Sequence, residues 1–159
     1  FDVDVSAEET YRESDGYLPG DRAVTAKTPF GTLGMTICYD LRFPYLYRSL
    51  ALAGADILTV PSAFSPVTGV AHWSALLQAR AIETGCYVLA PAQFGTHPAK
   101  SGKPRKTFGH SMAISPWGEI LCDAGQEYSI VWVDLDLGQV SQARRRIPSL
   151  CHSRRFESP

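Results

Sequence analysis

Shortages frame this chain. Among its 159 residues stand four cysteines, Cys38, Cys86, Cys122 and Cys151, widely scattered and without a CxxC pair. That spacing removes the usual zinc and dithiol patterns, and a chain of this size builds a core without disulfides, so reduced thiols and a cytoplasmic setting are expected. Neither sign of charge is in excess: the net charge is -1 and the pI about 6.5, which argues against nucleic acid or an anionic membrane as partner. No apolar run approaches the length that crosses a bilayer. His72, His97, His110 and His152 lack ligand-like spacing for a metal, and no motif read below calls for a metal or an organic cofactor. The opening Phe-Asp-Val-Asp-Val has no initiator Met, basic n-region or apolar h-region, and reads as the middle of something longer rather than as a signal peptide.

What is present alternates between strand and helix signals. Residues 6–32 are polar and turn-rich, which predicts a long surface loop ahead of a first clear strand, LGMTIC. After RFP, Pro44 suits a first helical turn, and Phe43, Leu46, Tyr47 and Leu50 line one face of a helix ending near Gly54. ADILTVPSAF reads as a buried strand, AHWSALLQARAIET (71–84) as a helix stopped by Gly85, and CYVLAPAQ as the next strand. TFGHSMAISPWGEILCDAG predicts two antiparallel strands joined at Pro116-Trp117-Gly118; IVWVDLDL predicts one more strand and GQVSQARRRI a last short helix. The order implies an α/β layer structure, a mixed sheet covered by helices on one face, whose remaining partners come from upstream residues.

Cys38 ends the apolar run of GMTICYDLRFP, just where the chain turns to Tyr39, Asp40 and Arg42. The carboxyl end of a strand is where α/β folds bind ligands, and a strand-to-helix turn is where a nucleophile is presented. A free cysteine is equally at home as a small buried core residue, and position alone leaves both readings open. Cys86, Cys122 and Cys151 favour the core or surface reading.

GMTICYDLRFP, PSAFSPVTGVAHW, LLQARAIET and FGHSMAISPWGE, in this order, resemble the carbon-nitrogen hydrolase (nitrilase) superfamily, and within it the Nit-type amidases. The resemblance runs the whole length of the chain. It implies an α-β-β-α sandwich, a homodimer or higher homo-oligomer, and hydrolysis of amides or nitriles by a Glu-Lys-Cys triad. Cys38 matches the family nucleophile, and Glu13 the additional glutamate often found beside the triad. The base glutamate and the lysine of the family lie N-terminal to Phe1, so residues 1–159 are expected to be the C-terminal portion of one carbon-nitrogen hydrolase domain, inactive in isolation.

The chemistry explains the need for those partners. A thiol is only about a few per cent ionised at neutral pH, so a carboxylate must take its proton before sulfur attacks the amide carbon. The oxyanion requires donors, here the family lysine and the backbone N–H of Tyr39. Ammonia then departs from a small omega-amide, and water releases the acid from a Cys38 thioester. The resemblance ranks deaminated glutathione-type substrates first and alpha-ketoglutaramate second; a non-catalytic binding module is the alternative if the upstream Glu and Lys are missing. Arg42 suits a substrate carboxylate remote from the scissile amide. Phe64, Thr68 and His72 follow the PSAF strand end and are placed as pocket lining. Asp40 is expected to cap the turn under Cys38, and Arg80 and Glu83 to form a helix pair that supports the scaffold. Arg144, Arg145, Arg146, Arg154 and Arg155 read as a solvated or dimer-contacting basic tail.

Overall fold

Three segments alternate as strand, helix, strand, and they set the architecture. The computed structural model describes residues 2–6, 9–98 and 104–157. β1 (Asp2–Ser6) and β2 (Glu9–Arg12) pair as an antiparallel hairpin, followed by a 3-10 turn at Glu13–Asp15. β3 (Val24–Thr28) and β4 (Gly31–Met35) form a second hairpin, and a 3-10 turn at Cys38–Arg42 leads into α1 (Pro44–Leu52), β5 (Ile57–Thr59) and α2 (Pro66–Thr84). β6 (Tyr87–Ala90), the hairpin of β7 (Phe94–His97) and β8 (Arg105–Phe108), β9 (Met112–Ile114), β10 (Ile120–Asp123) and α3 (Gly138–Arg146) complete the order.

Six strands make one mixed sheet in the order β10-β9-β6-β5-β4-β3, with β4, β5 and β6 parallel and the remaining pairs antiparallel. Strand alternation sorts its residues onto two faces. One carries Leu58, Val60, Val88, Ala90, Met112 and Ile114, packed against Leu50 and Ala51 of α1 and Trp73, Leu77 and Ala81 of α2. The other carries Ile57 and Tyr87 and is covered at one end by Leu135, Leu137 and Val140. Met35, in step with Leu33 on that second face, remains 51 % exposed. The molecule is therefore a helix-covered sheet whose other side is largely bare.

Several boundaries differ from those the sequence predicts. Residues 6–32 hold β2 and β3, so LGMTIC contributes the fourth strand rather than the first. β3 escapes notice because it is a largely exposed edge strand, with Lys27 and two threonines and little apolar alternation. α2 begins at Pro66 rather than Ala71, because the Ser65 hydroxyl accepts from the Val67 N–H (3.3 Å) and Pro66 fills the first turn. Its end is as predicted: Gly85 stands at φ 61° and closes the helix in the left-handed region. Residues 130–137, predicted as a strand, join no ladder among the described residues. The β7-β8 hairpin was not predicted, while the hairpin around Pro116-Trp117-Gly118 is present as β9 and β10.

Candidate active site

The Cys38 turn is mounted on the carboxyl edge of the sheet. Past β4, the Thr36 N–H donates to Thr59 O (3.1 Å) and the Cys38 N–H to Pro61 O (3.0 Å), so the chain follows β5 two residues beyond the ladder before it turns away. The turn then puts Cys38 at φ 47°, a left-handed conformation that a residue with a Cβ seldom takes. Such strain persists only where the surroundings hold it, and it tends to gather at functional positions. Cys38 is half-buried and unpaired, its side chain resting on the core cluster.

Three groups hold that conformation. The Asp40 carboxylate accepts from the Ile37 N–H (2.9 Å), the capping role expected of it. Thr36 Oγ1 donates to Thr59 O (2.8 Å), which leaves it to accept from the Tyr47 hydroxyl (2.6 Å). Burial pushes the Tyr47 phenol well above its ordinary range, with the Thr36 bond pulling the other way, so the donor stays protonated. From α2, Arg80 donates through Nε to Leu41 O (2.9 Å) and through Nη1 to Glu83 (2.8 Å), with its guanidinium 5.4 Å from the Tyr47 ring centre. The Arg80–Glu83 pair thus does support the scaffold, and it reaches into the Cys38 turn.

The side chains placed around a substrate fall into one group and one outlier. The Arg42 guanidinium lies 5.5 Å from the Tyr39 ring centre and 5.3 Å from that of Phe64, and its Nη1 is 3.2 Å from His72 Nδ1. A guanidinium only donates, so Nδ1 of His72 accepts and the imidazole proton sits on Nε2. Thr68 stands one helical turn before His72 on α2, half-buried. Glu13 lies in the exposed 3-10 turn after β2; its backbone carbonyl accepts from Gly16 and Tyr17, and among the described residues no hydrogen bond reaches its carboxylate.

The other thiols have different surroundings. Cys86 is fully buried, donates to Ala55 O (3.2 Å) and accepts from Arg144 Nη2 (3.1 Å), and burial raises its pKa. Arg144, grouped by sequence with a basic tail, is turned inward to these atoms and to Thr84 O, while Arg146 lies 4.0 Å over the Trp117 ring. Cys122 is half-buried and Cys151 exposed. A cleft of about 720 Å³ opens along the bare sheet face between Leu89, Ala113, Cys122, Tyr128 and Trp132, and Cys38 is not among its lining residues. Among the described residues no three His, Cys, Asp or Glu side chains gather as a metal site, and no helix is long and apolar enough to cross a membrane.

Sequence reasoning overlooked Pro61 and Arg105, which reach the site through a backbone carbonyl: Arg105 Nη2 donates to Ala63 O (2.9 Å). A carbonyl acceptor leaves no trace in the residue types, so nothing in PSAF announced either contact.

Known proteins resemble this chain in sequence and in fold. Residues 1–145 match the model of the carbon-nitrogen hydrolase family. The deaminated glutathione amidase of Yersinia enterocolitica is 47% identical over 155 residues, which is 97% of this chain and 53% of that protein. Among solved structures, the C. elegans NitFhit protein superposes with a TM-score of 0.86 at 39% identity, over 97% of this chain and 37% of that one. A mutant amidase from Nesterenkonia sp. AN1, with the acetamide moiety of fluoroacetamide covalently added at its active-site cysteine, superposes with a TM-score of 0.66 at 28% identity, over 84% of this chain and 49% of that one. The chain spans about half the length of the curated relatives it matches. A strained cysteine at the carboxyl end of the sheet, a solved relative that superposes over nearly the whole chain, and a family model matched over most of its residues agree: the chain belongs to the carbon-nitrogen hydrolase family.

Proposed function

We propose that this chain is the nucleophile-bearing, C-terminal portion of a single carbon-nitrogen hydrolase domain, and that the whole domain is an amidase using Cys38. The observation that carries the reading is the left-handed turn that lifts Cys38 off the end of β4, beside a guanidinium fixed by Tyr39, Phe64 and His72. The bare second face of the sheet supports the rest: an α-β-β-α sandwich needs another sheet there, and with it would come the base glutamate and the lysine.

The reaction follows from these parts. The upstream carboxylate takes the Sγ proton, and the thiolate attacks the amide carbon. The oxyanion is held by the Tyr39 N–H and the lysine ammonium. The C–N bond breaks as the amine leaves with the proton, and a Cys38 thioester remains. Water, activated by the same carboxylate, then releases the acid and restores the thiol. Glu13 orients the lysine or the substrate rather than moving the proton. Arg42 receives a carboxylate remote from the scissile amide, and Phe64, Thr68 and His72 line its approach. Deaminated glutathione-type amides rank first as substrates because several relatives carry that name, with alpha-ketoglutaramate second. A cytoplasmic homodimer, or a larger homo-oligomer, is the assembly we assign.

In the complete enzyme, Cys38→Ala should abolish amine release, whereas folded Cys86→Ala, Cys122→Ala and Cys151→Ala proteins should retain it. An active Cys38→Ala enzyme would refute the assignment. Absence of a glutamate and a lysine facing Cys38 in the complete domain would favour a binding module instead.

A further inference from the structure

Residues 61–64 leave β5 without entering another ladder of length, yet each of their four carbonyls accepts a hydrogen bond from a different part of the chain. Pro61 O accepts from the Cys38 N–H at 3.0 Å, Ser62 O from the Gln93 N–H at 2.9 Å and Phe64 O from the Phe108 N–H at 2.9 Å. Ala63 O takes a side chain instead, Arg105 Nη2 at 2.9 Å. One four-residue segment thus ties the nucleophile's turn to the β7-β8 hairpin. Three of the ties are backbone bonds that a side-chain substitution leaves in place; Arg105 is the one that sequence controls.

What the tie holds is the pocket wall. Phe64, the next residue, is 4 % exposed, its ring centre 5.0 Å from that of Trp73, and over its other contacts stands the Arg42 guanidinium at 5.3 Å. The far end of the same hairpin is seated independently: the Phe108 ring lies directly on α2 at Gly69, where any Cβ would collide with it. The hairpin is therefore fixed on the helix at Phe108, and Arg105 extends that fixed point to the carbonyl beside Phe64.

We infer that Arg105 is a positioning residue for the carboxylate end of the substrate site, acting through Ala63 and Phe64 on the guanidinium of Arg42. This rests on the amidase reading above and deepens it: the β7-β8 hairpin becomes the element that tunes selection of carboxylate-bearing amides over neutral ones. The bond to Ala63 needs a positive donor of sufficient reach, so lysine can replace arginine here although it could not at a two-pronged site.

The test compares Arg105→Ala and Arg105→Lys in the complete enzyme, with a carboxylate-bearing omega-amide, a neutral aliphatic amide, and glutarate binding measured by calorimetry. Arg105→Ala should raise KM for the charged amide about tenfold with kcat within about twofold, as expected when a charge-assisted contact is misplaced rather than deleted. The glutarate Kd should weaken by the same factor, kcat/KM on the neutral amide should stay at its parent value, and Arg105→Lys should restore most of the loss. Equal losses on both amides, or an unchanged KM and glutarate affinity, would overturn the inference. The glutarate arm reads Arg105 without turnover, so failure of the amidase reading, seen as activity surviving Cys38→Ala, registers separately.

Discussion

Arg80 offers the sharpest quantitative check on how the Cys38 turn is held. It is 5 % exposed, and Arg80→Met keeps much of the aliphatic stem while deleting the guanidinium. Two bonds go. The Nε bond to Leu41 O lies in the buried core, and removing a charged donor there costs about 1.5 to 3 kcal/mol, with the carbonyl left unpaired. The bond to Glu83 counts for less: that side chain is 38 % exposed, and screening brings such a pair below about 1 kcal/mol. The contact with the Tyr47 ring adds about 0.5 to 1 kcal/mol. A total near 3 kcal/mol corresponds to a fall in Tm of about 6 to 12 °C for a domain of 150 to 250 residues, read by thermal denaturation of the complete enzyme. Glu83→Gln should cost less than about 1 kcal/mol. Arg80→Lys should recover only part of the loss, because one ammonium cannot occupy both the Nε and Nη1 positions. Since Leu41 belongs to the Cys38 turn, Arg80→Met should also lower kcat on charged and neutral amides alike. If Glu83→Gln proves as damaging as Arg80→Met, the ion pair rather than the carbonyl contact holds the turn, and the reasoning fails.

Arg42→Lys should weaken kcat/KM about 10- to 100-fold for carboxylate-bearing omega-amides while sparing neutral amides, the cost of one charge-assisted contact. Equal losses in a protein of unchanged stability would make Arg42 a support of the turn. At alkaline pH, burial raises the pKa values of Cys86, Tyr47 and Tyr87 above their ordinary 9.0 and 10.0, so the folded chain keeps protons that the unfolded chain releases. Stability should be unaffected by these groups below about pH 9 and should fall progressively above it, measured as denaturant midpoints across that range; a flat profile to about pH 10.5 would contradict the burial reading.

The parts of the fold that the sequence announced share a physical feature: their signal and their partner lie in the same stretch of chain. α1 has Pro44 at its first turn and an apolar stripe that meets the sheet beside it, and α2 ends where Gly85 takes a conformation other residues avoid. The parallel strands β5 and β6 are short apolar runs, covered by the helices on one face and, at Ile57 and Tyr87, by Leu135, Leu137 and Val140 on the other. Residues 130–137 break the pattern instructively. IVWVDLDL alternates as a strand should, but alternation encodes a surface to pack against, and Trp132 remains 89 % exposed because the described residues do not supply that surface. The basic tail misled in the opposite way, since composition records that Arg144 is charged but not that Ala55 O and Thr84 O wait inside for it.

The same division runs through the site. Cys38 and Arg42 stood out because a thiol and a guanidinium at the end of an apolar run are side-chain chemistry in a recognisable place, and the structure gathers Arg42 with Tyr39, Phe64 and His72. The mount beneath them was not readable. Cys38 N–H to Pro61 O, Arg80 to Leu41 O and Arg105 to Ala63 O all end on carbonyls, which every residue possesses and none advertises. Only the donors vary with sequence, and a donor arginine looks the same whether it faces solvent or props up a nucleophile. Residue types therefore mark Cys38, while backbone acceptors decide how rigidly its turn is held, and these three lie on the two short segments that carry Cys38 and Phe64.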